Sequence, residues 1–517
     1  MREAIARVPS STVRGTKSRS CERGRSLATR SARSGRDETD RVHTIDRKLF
    51  CSAPSPSRRI PADFRAADLY LCDPFPFVSR PPEPGEPAPM TVVRPFRAIR
   101  FDTARVDLSN VIVPPYDVIA ADERASFFER DPHNAIRFEL TRDVADEAEA
   151  DYAWIRETFD DWRSSGVLVR EESPAYYVMG QRYTSPSGEI LERIGFFAEL
   201  GLEEYAARIV RPHERTLAGP KADRLKLLRS AEANLSSVFL LYEDRADELG
   251  ELLARTLEKD EIGSARDGGG VEYRLARLTE SAEIERLRAF LVDRPSVIAD
   301  GHHRYETTLE YRRQQIAARE GRTIDAPWQS TLAYFANAYA PGSLLLPIHR
   351  VVRTAPSPSE EGWREKLPGW TVRALASVSL DRVEALLADE LEPLAGQPAF
   401  VAETADGTTL LIHRPEPLKD ELMVRIIEAE VLGAVFGLSA DSIRSGAVGF
   451  PKSARRAGQE VREGEGTVAL YLNPMTPDDV FRATAEGEVM PQKSTFFYPK
   501  IPTGMVFRDH RDGDGGR

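Results

Sequence analysis

A mixed α/β (α+β) fold, with strands and helices alternating irregularly, is predicted for the main part of this 517-residue chain. Three observations predict it. Short apolar runs bounded by Gly, Pro or Asp read as strands. Longer stretches with apolar residues three and four apart read as amphipathic helices. The two kinds interleave without a fixed repeat, so a mixed sheet is expected rather than a regular doubly wound one.

Taken in order, Thr91–Phe101 alternates well enough to be a strand. Val111–Ile119 reads as an apolar strand broken by the turn Pro114-Pro115, because proline has no ladder donor. Helices are predicted over 121–130 and 151–165, the second stopped by Gly166. A hairpin of 175–184 and 189–199 turns at Ser185-Pro186-Ser187-Gly188. A helix over 220–233 has Pro220 in its first turn, where a missing N–H does no harm. Ser237–Leu241 is a buried strand, 264–270 a glycine loop and 281–291 a helix. Pro295–Ala299 is a strand that runs into a helix over 305–319. Leu344–Val352 is another strand, and 356–362 a linker. A helix at 380–391, a hairpin of 399–404 with 408–412, an apolar helix at 422–436 and a strand at 467–471 complete the pattern.

Residues 1–89 differ from the rest. They hold 17 Lys/Arg against 11 Asp/Glu, a net charge of +6, in Arg/Ser/Pro-rich runs without helix or strand period. The remainder then carries −17 of the overall −11, which gives no bias toward nucleic acid. All three cysteines (Cys21, Cys51, Cys72) lie in the first 89 residues, so the rest has no thiol nucleophile and no disulfide. The expected domain plan is a disordered basic extension or a start placed too far upstream (1–89), an α/β domain (90–354), an α+β domain (355–510) and a disordered tail (511–517). A targeting role for 1–89 is the weaker option, since no apolar core precedes a small-residue cleavage site. No apolar run approaches the length of a membrane span, so a cytoplasmic protein without membrane contact is expected.

The strongest candidate site is Asp300-Gly301-His302-His303-Arg304. A strand ends here and a helix begins, so free N–H groups and the positive end of the helix dipole collect at one point, which suits an anion. Gly301 lets a ligand approach the backbone, and Arg304 can grip a phosphate with two hydrogen bonds. Asp300 could cap the helix, hold a metal or act as a base. The bland alternative is a helix cap with surface histidines. Two adjacent histidines and an arginine, in a chain with only eight histidines, favour function. A second run, Arg211–Thr216, is followed by Lys221, Asp223 and Arg224. His213 and Glu214 could transfer protons or bind Mg²⁺, and Lys221 and Arg224, three apart, could neutralise phosphate. Its alternative is a solvated charged loop. Pro114-Pro115-Tyr116-Asp117 is a rigid turn or a ligand-lining loop. Lys493-Ser494-Thr495 narrowly misses a phosphate loop, since Gln492 stands where a glycine is needed and no helix follows. His349-Arg350 is weaker still. HExxH, paired CxxC, GxSxG and a convincing GxGxxG are missing from the sequence.

Over residues 93–509 the chain resembles a bacterial family called domain of unknown function 1015. The carriers are Val113–Ile119, Arg211–Arg224, Ile298–Tyr305, Leu346–Arg350 and Met490–Gly504. Asp300–Arg304 is also similar to the signature of the ParB/sulfiredoxin superfamily, which includes an ADP-dependent kinase of free serine. That resemblance implies a ParB/sulfiredoxin-like core, with nucleotide phosphates (ADP, ATP or CTP) at Gly301, His302 and Arg304. Sulfiredoxin needs a cysteine where His302 stands, so sulfinic-acid reduction is not expected. ParB partition proteins carry a helix-turn-helix after the motif, which the pattern here does not support, so sequence-specific nucleic-acid binding is not expected. The resemblance thus implies a small-molecule kinase or a nucleotide hydrolase, with Asp300, Glu214 or Asp117 as base and catalytic roles for His303 and His213. A nucleotide sensor without fast catalysis is the alternative, and a homodimer is compatible with either.

Overall fold

The computed structural model describes residues 90–142, 150–216, 218–319, 326–419, 421–491 and 493–511. The expectations for residues 1–89 and for the tail beyond 511 lie outside these. Among the described residues the largest sheet is nine-stranded and mixed. Its strands are β1 (Val93–Arg94), β2 (Tyr176–Thr184), β3 (Ile190–Gly201), β4 (Val210–Arg211), β5 (Val238–Tyr242), β6 (Glu261–Arg266), β7 (Glu272–Leu278), β8 (Ser296–Asp300) and β9 (Ser330–Asn337). They lie in the order β4-β8-β5-β9-β3-β2-β7-β6, with β1 against the end of β3. Two pairs, β8–β4 and β9–β5, are parallel, and the others are antiparallel.

Both faces of this sheet are covered. Phe197, Phe239, Val297 and Tyr334 point into one core, which also takes Ile155 and Phe159 of α1 (Ile155–Ser164) and Leu227 of α2 (Ala218–Ala231). Their neighbours Phe196, Leu240, Ile298 and Phe335 point into the other. That second core takes Leu252, Leu253 and Leu257 from α3 (Gly250–Lys259), Leu287 and Leu291 from α4 (Ser281–Leu291), and Tyr305 and Leu309 from α5 (His302–Ala318). A strand buried on both sides needs apolar residues at every position, which is why Val238–Tyr242 reads as an unbroken run.

A second sheet is wholly antiparallel. It comprises β10 (Arg350–Val352), β11 (Thr371–Leu375), β12 (Ala399–Thr404), β13 (Thr409–His413), β14 (Val448–Gly449) and β15 (Val468–Leu472), ordered β11-β13-β12-β15-β10-β14. The chain then returns to its beginning. Phe496–Tyr498 pairs with Leu344–Leu346, Thr503 bridges Val113, Phe507 bridges Ile99, and Arg508–Asp509 pairs with Ala233–Asn234. Phe507 packs on Phe101, Phe138 and Phe159, while the buried Asp509 carboxylate takes Arg156 and Arg163.

The mixed α/β fold is as expected, and several elements are corrected. Thr91–Phe101 is two short strands, Val93–Arg94 and Ile99–Phe101, divided at Pro95. Val111–Ile119 is not a strand: Leu108–Val111 is a helical turn capped by Asp107, and only Val113 makes a β-bridge, an isolated one with Thr503. The glycine loop is shorter than expected because β6 runs through Arg266. Leu344–Val352 splits at Pro347 between two different sheets. Helix α5 begins three residues before Tyr305, which puts both histidines and Arg304 in its first turn.

Gly195 shows how tightly the central strands meet. A Cβ there would lie 2.2 Å from the Phe335 carbonyl oxygen and 2.6 Å from the Tyr334 ring. Backbone cannot yield as a flexible side chain can. Gly195→Ala is expected to lower stability by about 2–3 kcal/mol, seen as a lower urea midpoint at unchanged slope.

Candidate functional site

Strand β8 ends on Asp300 and helix α5 starts at His302, with Gly301 between them at φ +89°. That left-handed conformation favours glycine, and a Cβ there would come 2.9 Å from Arg304 Nε. No side chain caps this helix and no acid stands in its first turn. The first intrahelical bond runs from Tyr305 N–H to the Gly301 carbonyl at 3.0 Å, so the preceding amides have no helical acceptor. Asp300 therefore does not act as the cap. Its Oδ1 accepts from Lys500 Nζ and its Oδ2 from the Arg304 guanidinium. Burial alone would raise this carboxyl, but Lys500 and Arg304 outweigh it and hold Asp300 well below the usual carboxylate range.

The two runs in question do converge. His213 is buried, its Nδ1 2.5 Å from the Ile298 carbonyl and its Nε2 2.7 Å from Thr495 Oγ1. A carbonyl only accepts, so Nδ1 carries the proton and Nε2 accepts from the hydroxyl. The His213 backbone N–H donates to His302 Nε2 at 3.3 Å, and the rings meet edge to face at 4.6 Å. Burial lowers both histidines, with His213 adding to the effect on His302, so both are neutral. Burial also lowers His303, against the opposing pull of Glu306 and Asp117. Glu214 Oε1 accepts from the amides of Ser494 and Thr495 at 2.9 and 3.4 Å. Lys221 pairs with Glu306 of α5 at 2.9 Å, on the oxygen that also accepts from Thr216.

Arg224 is not placed as the sequence suggests. It does not share a phosphate-facing surface with Lys221, but lies buried with its fork spent on Asp223 Oδ2 (2.6 Å), Glu139 Oε2 (3.2 Å) and the Tyr152 hydroxyl (2.9 Å). The Tyr116 ring sits on the guanidinium at 4.2 Å, so the Pro114–Asp117 turn is anchored here. The Lys493–Thr495 segment also joins the site, through Glu214 and His213. His349 is buried, its Nδ1 accepting from the Leu472 amide at 3.2 Å, and Arg350 beside it is buried too.

Three contributors escape the sequence reading: Lys500, Lys452 and Glu306. The Lys452 and Lys500 ammonium groups lie 4.1 and 5.2 Å from the Phe496 ring centre. Lys452 is lowered by burial and then by the ammonium groups of Lys500 and Lys493. Nothing in the local sequence distinguishes Lys452. Among the described residues no cluster of three or more His, Cys, Asp or Glu could hold a metal ion by itself, and no helix is long and apolar enough to cross a membrane.

A family described as protein of unknown function (DUF1015) matches residues 93–424. This chain belongs to that family. The match ends earlier than the motifs suggest, so Lys452, Thr495 and Lys500 lie beyond it. No curated protein matches the chain. Similar solved structures include a free serine kinase variant in complex with AMP, 12% identical at TM-score 0.31, covering 61% of this chain and 91% of that one. A conserved hypothetical protein from Pyrococcus furiosus is 12% identical at TM-score 0.30, over 62% of this chain and 97% of that one. C-terminally truncated SbnI from Staphylococcus aureus is 9% identical at TM-score 0.30, over 60% and 86%.

Two predictions follow from the burial of these charges. Arg224→Met strands the Asp223 and Glu139 carboxylates and is expected to cost about 3 kcal/mol or more in urea unfolding; Lys221→Met, at a half-exposed pair, should cost under about 1 kcal/mol. The second concerns pH. His213, His302, His349 (lowered to about 3) and His510 all titrate below the ordinary histidine value of 6.5 when folded. The unfolded chain takes up protons first as pH falls, so their contribution is complete above about pH 6.5 and lost below it. Stability should fall progressively as pH drops below about 6.5, and the fall should shrink in His349→Gln.

Proposed function

We propose that this protein is a nucleotide-binding enzyme that transfers a phosphoryl group to a small metabolite such as a free amino acid. The observation that carries this reading is the charge arrangement at Gly301. A helix start without an acid in its first turn is accompanied by Arg304, Lys452, Lys493 and Lys500, while Asp300 is already held by two of them. Such an excess of positive charge beside free amides, half-buried at Arg304 and Lys500 and exposed at Lys452 and Lys493, is the environment that a di- or triphosphate satisfies. The sequence resemblance of Asp300–Arg304 to nucleotide-binding relatives supports the same ligand.

In this reading the amides of His302 and His303 and the side chains of Arg304 and Lys500 hold phosphate oxygens. Gly301 allows the close approach. Asp300, held ionised by two cations, is a weak base, and its task is to orient Lys500 and Arg304. His303 is the better base, because it is neutral at ordinary pH. It takes the proton of the acceptor hydroxyl, whose oxygen forms a bond to the terminal phosphorus. The bond from that phosphorus to the bridging oxygen breaks, and the charge left on the shortened nucleotide is met by Lys500 and Arg304. His213, with both ring nitrogens engaged, positions His302. Glu214 holds the 494–495 segment, and Lys221 holds Glu306. Arg224 acts from below by supporting Tyr116. A Mg²⁺ travelling with the nucleotide would share its phosphate oxygens, and the exposed Asp117, whose charge reaches His303 and Lys452, is a carboxylate for it.

Nucleotide-dependent thermal stabilisation tests this first. ADP, ATP or CTP at about a hundred times its dissociation constant should add about 2.7 kcal/mol. Lys500→Ala and Arg304→Gln should remove that shift while remaining folded. His303→Ala should keep most of the shift and lose turnover with free amino acids. If none of the three nucleotides stabilises the wild type, the reading fails. Stabilisation without turnover would mark a sensor instead.

A further inference from the structure

Arg350 opens the second sheet at β10 and is 3% exposed. Its one hydrogen bond among the described residues is to the Ile348 carbonyl, two residues away, and the guanidinium lies 5.0 Å from the Phe450 ring centre. No carboxylate of the described residues is within ion-pair distance of it. Other buried arginines behave differently. Arg224 holds two carboxylates, Arg508 takes Glu199 and the Ser330 and Pro327 carbonyls, and Arg193 takes Gln181 and the Tyr498 and Pro499 carbonyls. Burying a guanidinium without a counter-ion is costly, because its hydration is lost and little replaces it. Arg193 also lacks a carboxylate but donates to three oxygens, whereas Arg350 alone of these four donates to one, so it has donors to spare for an anion.

Two acids act on it from a distance. Burial pushes the Arg350 guanidinium down to about 10, against the pull of Glu428 first and Glu214 second. Glu428 is half-buried on the wide-turned helix Ile427–Val435, and it also feels Arg425, Arg215 and Arg444. Glu214 lies 3.8 Å from His213, whose ring touches His302, so Arg350 belongs to the same surroundings as the Gly301 turn. The Phe450–Lys452 loop ties the two together, since the Pro451 carbonyl accepts from His349 N–H at 2.9 Å and Lys452 reaches the Phe496 ring beside Lys500.

We propose that Arg350 is the specificity residue for the acceptor, binding the α-carboxylate of a free amino acid, with Glu214 and Glu428 receiving its α-ammonium group. The proposal rests on the phosphotransferase reading above and deepens it. A fork of parallel N–H donors matches a carboxylate. A single guanidinium that feels two acids suits a zwitterion, whereas a phosphate dianion would meet two like charges. Nucleotide phosphates are then left to the Gly301 side, where cations outnumber acids.

The test uses the full chain saturated with ADP, measuring melting temperature with each of the twenty free L-amino acids, with the methyl ester of each, and with inorganic phosphate. At least one amino acid should raise the melting temperature while its ester does not. Arg350→Gln should weaken that amino acid about ten- to a hundredfold, and Arg350→Lys should recover part of the loss. The shift from ADP alone should persist in both variants. In turnover, KM for the acceptor should rise by that factor with kcat much less changed. An ester as effective as its acid, a shift reproduced by inorganic phosphate, full amino-acid binding in Arg350→Gln, or no amino acid acting on the wild type would each overturn the assignment while leaving nucleotide binding intact. Loss of the ADP shift in the wild type would instead remove the nucleotide reading on which it rests. Should Arg350→Gln not fold, the comparison of acid with ester on the wild type decides the matter.

Discussion

The ion pairs of Asp300 hold together three parts of the chain that are far apart in sequence. The carboxylate closes strand β8, takes Arg304 from the first turn of α5, and takes Lys500 from the returning C-terminal segment. With both cations removed the buried carboxylate would be an uncompensated charge, costing about 3–5 kcal/mol; with either one removed the other still faces it. The C-terminal segment is tied in by more than Lys500. It lies along the His213–Glu214 loop, with Ser494 and Thr495 on Glu214 and His213, and it continues to Thr503 and Phe507 on the opposite core. The site and the closing of the fold are one set of interactions.

Much of the fold was legible because its strands and helices have local causes. The 281–291 helix, the hairpin across Ser185–Gly188 and the two hairpin strands near Asp406-Gly407 lie where periodicity and turn residues put them. Errors occurred where tertiary context decides. The Val111–Ile119 run is apolar because it packs between the C-terminal segment and the core, not because it joins a sheet; its one ladder contact is Val113 with Thr503, 390 positions on. The α5 start was set too late for a similar reason. His302, His303 and Arg304 fit no apolar face, since they turn toward Asp300, His213 and Glu306.

The candidate site was legible as a set of segments but not as an arrangement. Asp300–Arg304, His213–Glu214, Tyr116–Asp117 and Lys493–Thr495 stand out by residue type, and all four are brought together. Roles were harder to read. Lys221 and Arg224 look equivalent at a spacing of three, yet one meets Glu306 at half exposure and the other disappears into a buried network with Glu139 and Tyr152. Glu139 lies in a short turn and Tyr152 precedes α1, so neither has a sequence signal linking it to Arg224. Lys452 is more opaque still, being one lysine in an ordinary loop until Phe496 and Lys500 are placed beside it.

Arg224 and Arg350 make the final point about charge. Both are nearly inaccessible, yet Arg224 is raised by the acids and phenols around it against the effect of burial, whereas burial lowers Arg350 against the weaker pull of Glu428 and Glu214. Internal partners of Arg224 are complete, so an additional anion would gain little there and would have to displace Asp223 or Glu139. Arg350 is the reverse. It donates to one internal oxygen where Arg224, Arg508 and Arg193 each donate to three or more, so an incoming anion gains the donors that remain. Within one fold the same side chain is thus a strut when its partners are supplied by the chain and a receptor when they are left to a ligand. A phosphate-gripping role read from residue type alone does not suit Arg224 for this reason, and in the proposed reading the acceptor's anion falls instead to Arg350, whose fork has one internal acceptor.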